Sequence, residues 1–198
     1  MQRYMRGMSN GGMIHAQSRH DPLTDEQLRQ HIPSIFATEA HESRSERFCP
    51  IPTIDTIRGL RAEGFEPFFA QQSSTRIPGK ADFTKHMVRL RHRSITDDKG
   101  SAYEVILVNA NDGTSAYQMF PGFYRFVCSN GLFVGTSFQQ VRVKHSGDAV
   151  GDVIDGAYTV LEERDRLQDT LHRWVGTPAA ADARRNFAAC AHMLRFPD

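Results

Sequence analysis

The chain has 198 residues, 39% hydrophobic and 24% charged, which is enough apolar content for one buried core and not the composition of a disordered protein. Its 24 Lys and Arg nearly balance 23 Asp and Glu, for a formal charge of +1, so any attraction to nucleic acid or anionic lipid has to come from local clustering. The three widely spaced cysteines, Cys49, Cys128 and Cys190, argue against a disulfide framework and for a reducing, cytoplasmic setting, and no run approaches the ~18 apolar residues of a membrane helix.

Met1 to His20 reads as a flexible tail, because Gly11, Gly12 and scattered polar residues leave it no face to bury. A core domain over 21–147 follows. Thr24 with Gln27 three residues on is a capping box, predicting a short helix from Asp25 to His31 that Pro33 stops. Ala40 to Arg47 is too polar for a core, and Pro50 and Pro52 bracket an extended arm. Thr53 then reads as the N-cap of a helix from Ile54 to Glu63, with Ile54, Ile57 and Leu60 on one face and Gly64 as its C-terminal cap. Phe65 to Gln72 is a strand carrying Phe65, Phe68 and Phe69, and Pro67 places it at an edge or gives it an irregular start.

The next strand, Phe83 to Arg93, alternates with period two. Lys85, Met87, Arg89, Arg91 and Arg93 share one face, and His86, Val88, Leu90 and His92 share the other. Four cations of that first face recur along an extended chain in steps of about 6.8 Å, or twice that where Met87 intervenes. Arg76, Lys80, Lys85, Arg89, Arg91 and Arg93 stand against the single acid Asp82 in this stretch, a local positive field suited to phosphates. The alternative is a solvated face whose arginines pair with acids such as Glu104 or Asp112.

Tyr103 to Asn109 is nearly unbroken apolar sequence, the pattern of a central strand buried on both faces. Asn111-Asp112-Gly113 is a hairpin turn, and Thr114 to Met119 returns beside the central strand. The spacing of Phe123, Phe126 and Val127 predicts a short helix through Cys128, ended by Asn130-Gly131. Val141 to His145 alternates again, with Arg142 and Lys144 extending the basic surface. Asp148 to Val175 reads as one long amphipathic helix capped by Gly176. Thr177 and Pro178 open another, with Ala183, Phe187, Cys190, Ala191 and Leu194 on one side, so 148–198 forms a helical hairpin packed on the core. The fold class is α+β, a mostly antiparallel sheet with helices on one face and a C-terminal helical hairpin.

Four strings carry a resemblance: His41 to Arg47 (HESRSER), Thr84 to His92 (TKHMVRLRH), Asn111 to Ser115 (NDGTS) and Phe126 to Leu132 (FVCSNGL). They resemble a family of bacterial, phage, plasmid and genomic-island proteins catalogued as domain of unknown function 932, over roughly Leu23 to Arg195. The resemblance implies a mobile-element setting and carries no activity or site residue across. Members of that family continue past the position matching Leu194 with another helical stretch, so the chain reads as a short member or a truncated one.

No GxxxxGK[ST], GxGxxG, HExxH or GxSxG string is present, which removes the NTPase, dinucleotide, zincin and hydrolase readings that depend on them. Cys128 lacks a Cys or His at metal-ligand spacing and reads first as a small buried hydrophobe; a nucleophilic role needs His86 or His145 brought in by the fold. His86, His92 and His145 read likewise as hydrogen-bonded groups at the sheet rim before they read as a metal or proton-transfer cluster.

Two classes of function stay open. The first is a non-enzymatic nucleic-acid-binding protein in which Arg76, Lys80, Lys85, Arg89, Arg91, Arg93, Arg142 and Lys144 follow phosphates while Phe68, Tyr117 or Tyr124 stack on bases. Its order of helix, strands and helix resembles the sheet core of single-strand annealing recombinases, in topology alone. The second is an enzyme using Cys128 with His86 or His145. An interaction protein that antagonises a host defence system fits the family setting without a residue signature. The first rests on the strongest pattern in the chain. Single-stranded DNA and a further copy of the chain are the expected partners, with no membrane, cofactor or metal expected.

Overall fold

The computed structural model describes residues 11–18, 20–39, 52–95, 101–112, 115–125, 130–133, 141–143 and 148–195. The chain divides into two compact units, Met1–Arg164 and Asp165–Asp198. The first is built on a seven-stranded antiparallel sheet. Its strands are β1 (Met13–His15), β2 (Phe65–Gln72), β3 (His86–His92), β4 (Ser101–Ala110), β5 (Ser115–Arg125), β6 (Asn130–Phe133) and β7 (Val141–Val143). They lie in the order β1-β2-β3-β4-β5-β6, with β7 also paired to β5. Three helices belong to this unit: α1 (Asp25–His31), α2 (Thr53–Ala62) and α3 (Ala149–Glu162).

Local chemistry sets the helix ends. Thr24 accepts from the Gln27 amide at 3.2 Å while the Gln27 side chain accepts from the Thr24 amide at 2.9 Å, the reciprocal box that starts α1. Helix α2 ends where Gly64 takes φ 94°, a backbone state without penalty only for glycine. The helix begins one residue earlier than the sequence indicates, with Pro52 at the N-cap, and this frees the Thr53 hydroxyl for a buried role described below.

Strand β4 is the centre of the molecule. All its residues after Ser101 are buried, as its apolar run predicts, and β3 and β5 flank it. One face of the sheet carries Val88, Leu90, Val105, Leu107, Tyr117 and Met119 under Leu28, Ile57 and Leu60 from the first two helices and Val153, Ala157 and Val160 from α3. The opposite face carries a smaller apolar cluster, Phe69, Met87, Ile106 and Val108, with Phe120 against it.

Three elements differ from the sequence expectation. Within the stretch read as a tail, Met13–His15 form an edge strand on β2, with Met13 opposite Gln71 and His15 opposite Phe69. Backbone pairing needs no apolar face, which is why composition missed it. Phe123 to Arg125 continue β5 rather than opening a helix, because Tyr103↔Phe123 and Ser101↔Arg125 extend the β4 ladder; residues 126–129 lie outside the described residues, and Asn130-Gly131, expected to end the helix, instead open β6 opposite Arg125 and Tyr124. The long helix expected over 148–175 is two, α3 and α4 (Arg164–Gly176), since at Glu163 the amide turns to Leu161 O.

The second unit carries the remainder of α4 and α5 (Ala181–Arg195), a helical hairpin. Trp174, Val175, Phe187 and Met193 are exposed there, and so is Cys190.

Candidate arginine and aromatic site

Alternation along β3 divides its side chains as the sequence requires, but the cationic row does not form a continuous outer stripe. Arg89 is buried. Its Nε donates to Glu104 Oε2 at 2.5 Å and its Nη2 to Oε1 at 3.1 Å, while Arg91 Nε donates to the same Oε1 at 3.0 Å. Glu104 lies on β4 beside β3, on the same face, where Arg89 pairs with Ile106. Two guanidiniums thus close on one carboxylate that is only 2% exposed. A buried carboxylate costs much of its hydration, and bidentate charged hydrogen bonds offset that cost.

Aromatic rings hold the guanidiniums from their flat sides. Arg89 lies 4.0 Å from the Tyr124 ring centre and 4.8 Å from that of Phe69, and Arg91 lies 4.2 Å from Phe68 and 5.7 Å from Tyr124. Phe68 and Phe69 are adjacent in sequence and would point to opposite faces of a regular strand. The register shift between Pro67 and Phe69 makes Phe68 the extra residue of a bulge, which lets both rings serve the cationic face.

Beside these groups opens a hollow of about 140 Å³ lined by His15, Ala16, Gln17, Ser18, Phe68, Arg89, Arg91 and Tyr124. The edge strand supplies its rim: Ala16 N donates to Phe68 O at 2.9 Å, and the His15 ring meets Phe69 edge-on with centres 4.5 Å apart. Burial first, and then the nearby Arg89 charge, hold the His15 imidazole below its ordinary range, with Glu104 acting in the opposite sense.

The other cations expected to act together are dispersed. Arg93 follows the end of β3 and donates to Ala62 O at 3.3 Å, placing its charge at the C-terminal end of α2, where a cation is favoured. Lys80 pairs with Asp112 at 3.3 Å. Arg76 is exposed in the loop after β2, Lys85 is half-buried ahead of β3, and Arg142 is exposed on β7. Lys144 lies outside the described residues, as do Cys128 and His145.

His86 belongs to a different arrangement, on the helix-covered face. Its Nδ1 lies 3.2 Å from Thr84 O, and because a carbonyl only accepts, Nδ1 carries the proton and Nε2 accepts from the Thr53 hydroxyl at 2.9 Å. Asn109 Nδ2 donates to the same hydroxyl at 2.9 Å, and Asn111 Nδ2 donates to Ser34 O at 3.0 Å. Ser34 Oγ in turn donates to Gln72 Oε1 at 2.9 Å. Tyr117, expected from the sequence to be an exposed stacking ring, is fully buried with its hydroxyl 3.3 Å from Thr56 Oγ1, and burial raises its proton affinity. This network fastens α2 to β3, β4 and β5. Among the described residues no cluster of three or more His, Cys, Asp or Glu is arranged to hold a metal, and no helix is long and apolar enough to cross a membrane.

A sheet with helices on one face and an arginine and aromatic hollow on the other defines the first unit as α+β. Residues 40–195 match the model of a family described as domain of unknown function (DUF932), and the chain belongs to that family. It is similar to UPF0380 protein YafZ of Escherichia coli (strain K12), 47% identical over 178 residues that make up 90% of this chain and 65% of that protein. It is also similar to UPF0380 protein YfjQ of the same organism, 50% identical over 160 residues, 77% of this chain and 58% of that protein. The chain therefore spans less than two thirds of the length of these relatives. No solved structure matches it.

Proposed function

We propose that the protein binds single-stranded nucleic acid, and that the contact centres on the hollow between β1, β2, β3 and β5. The observation that carries this reading is the lining itself: two guanidiniums and two aromatic rings, Arg89, Arg91, Phe68 and Tyr124, on one open concavity. Guanidinium groups match phosphate oxygens as forked donors, and a ring face accepts any base, so the pair of features suits a flexible strand better than a duplex with its bases already stacked. Tyr124 and Phe68 already stack on guanidiniums, so a base entering here extends a layered stack. The mobile-element setting that the family resemblance implies agrees with such a role.

Fluorescence anisotropy of a labelled single strand and of its duplex, across a salt series, tests this. Log affinity for the single strand should fall linearly with log salt. Arg91→Ala should flatten that slope by about 0.7, and Tyr124→Ala should weaken binding by ~1–3 kcal/mol per stacked base with little change of slope. Absence of binding at low salt, or two variants that bind like the parent, would overturn the proposal.

A further inference from the structure

Resting on that reading, we infer that the hollow is a receptor for a terminal phosphate monoester, with Arg91 and Arg89 as fixed cations, Tyr124 and Phe68 as ring faces for the adjoining base, and His15 as the third contact. The shared ligand chemistry is a phosphate monoester on a nucleoside, whether at the end of a strand or on a free nucleotide.

The first argument is the dispersal of the cations. A protein that tracks a backbone presents charge at regular intervals along a groove. Here Arg93 turns to the end of α2 and Lys80 to Asp112, while Arg89 and Arg91, both tied to Glu104, line one small hollow side by side. Two cations confined to one concavity suit one multiply charged group more than a series of singly charged diesters. A monoester carries about −1.5 to −2 charges near neutrality and three strong acceptor oxygens.

The second argument is His15. Its ring lines the hollow and packs edge-on against Phe69, and neither ring nitrogen is hydrogen-bonded among the described residues. The charged groups that face it are Arg89 from β3 and Glu104 from β4, with Arg91 and Tyr124 lining the same space. In the empty hollow the imidazole is held neutral to lower pH than usual, by burial and by Arg89. A dianion seated in the hollow beside the guanidiniums cancels the Arg89 repulsion and favours imidazolium, so binding takes up a proton. The sign follows: affinity for the monoester rises as pH falls from about 8 toward about 6, then levels off once the free phosphate, whose second pKa is ~6, carries that proton itself.

A third point is that His15, Ala16, Gln17 and Ser18 precede the region matched by the family model, which begins at residue 40. The edge strand thus adds a rim to a floor made by the family domain, and a rim can set which phosphate is admitted.

The test uses the full chain and oligothymidylates ending in 5′ phosphate, in 3′ phosphate or in hydroxyls at both ends, with thymidine 5′-monophosphate as competitor. One phosphorylated end should bind at least tenfold more tightly than the hydroxyl-ended strand near pH 6.5, and that preference should shrink toward pH 8.5. Competition by the free nucleotide identifies the monoester as sufficient, and lack of competition identifies the strand end as the source; either supports the receptor. His15→Gln should lower the end preference and remove its pH dependence, and His15→Arg should restore a preference that no longer varies with pH. Equal binding of all three strands would overturn the inference while leaving strand binding intact. Binding of none of them would overturn both.

Discussion

The two faces of the central sheet use polar groups in opposite ways. On the helix-covered face, His86, Thr53, Asn109, Asn111, Ser34 and Gln72 form a neutral, buried network that joins elements far apart in sequence. On the other face, Arg89 and Arg91 are charged, paired to the buried Glu104, held by rings and lining a hollow. Buried groups bonded to side chains and backbone of neighbouring elements fix a structure, whereas guanidiniums that line a cavity are placed to meet an anion. The same seven residues of β3 feed both faces, so a period-two alternation separates stability from recognition.

The comparison breaks most severely at the centre of the helix-covered face. Leu107→Asp places an unpaired charge under α2 and α3 and should destabilise by about 5 kcal/mol or more, seen as loss of soluble expression or of a cooperative melt. A soluble, normally melting variant would show that β4 is not core. Removing Glu104 tests the other face. Glu104→Ala leaves Arg89 buried without its carboxylate and should cost on the order of 4 kcal/mol in a urea titration. An unchanged midpoint would mean that the guanidinium has relaxed to water.

Smaller effects sharpen the division. Thr53→Val keeps shape but removes the donor to His86 Nε2 and the acceptor for Asn109, so it should cost about 2 kcal/mol and leave strand binding unaltered. Arg91→Ala should do the reverse, losing binding at a smaller cost in stability than Glu104→Ala, because Arg89 keeps both of its bonds to the carboxylate. The smallest effect is pH-dependent. The His15 imidazole is depressed in the folded state, so the unfolded or detached strand binds the proton more readily. That contribution to stability is present above the ordinary histidine range, ~6.5, and is lost as pH falls through it. Protection of the Ile14 and Ala16 amides, taken relative to intrinsic exchange at each pH, should therefore fall in mild acid, and protection that stays flat between pH 8 and pH 5 would remove His15 from the account.

Much of this was legible in residues alone. The capping box at Thr24 and Gln27, the apolar run of β4 and the alternation of β3 each state a local geometry that the tertiary structure also favours, and so the α+β class followed. Arg89 and Arg91 stood out by charge, and Glu104 was visible as an acid able to pair with them. What alternation could not show was that a carboxylate on the next strand draws both arginines inward and ends the row there. Nor could it show the bulge that turns Phe68 and Phe69 to one side, since a register shift depends on two strands. The rim from His15 to Ser18 was missed for a related reason. Its contribution is a backbone ladder, and Gly12 leaves no side-chain signature for one.

The most direct measurement of the central claim, that recognition belongs to the arginine and aromatic face, is photochemical cross-linking of a single strand to the full chain, followed by mapping of the modified residues. The account predicts adducts at Phe68 and Tyr124, lost in Arg91→Ala at moderate salt. Adducts absent from both rings and concentrated instead at exposed positions such as Trp174 or Phe187 of the C-terminal hairpin would contradict it.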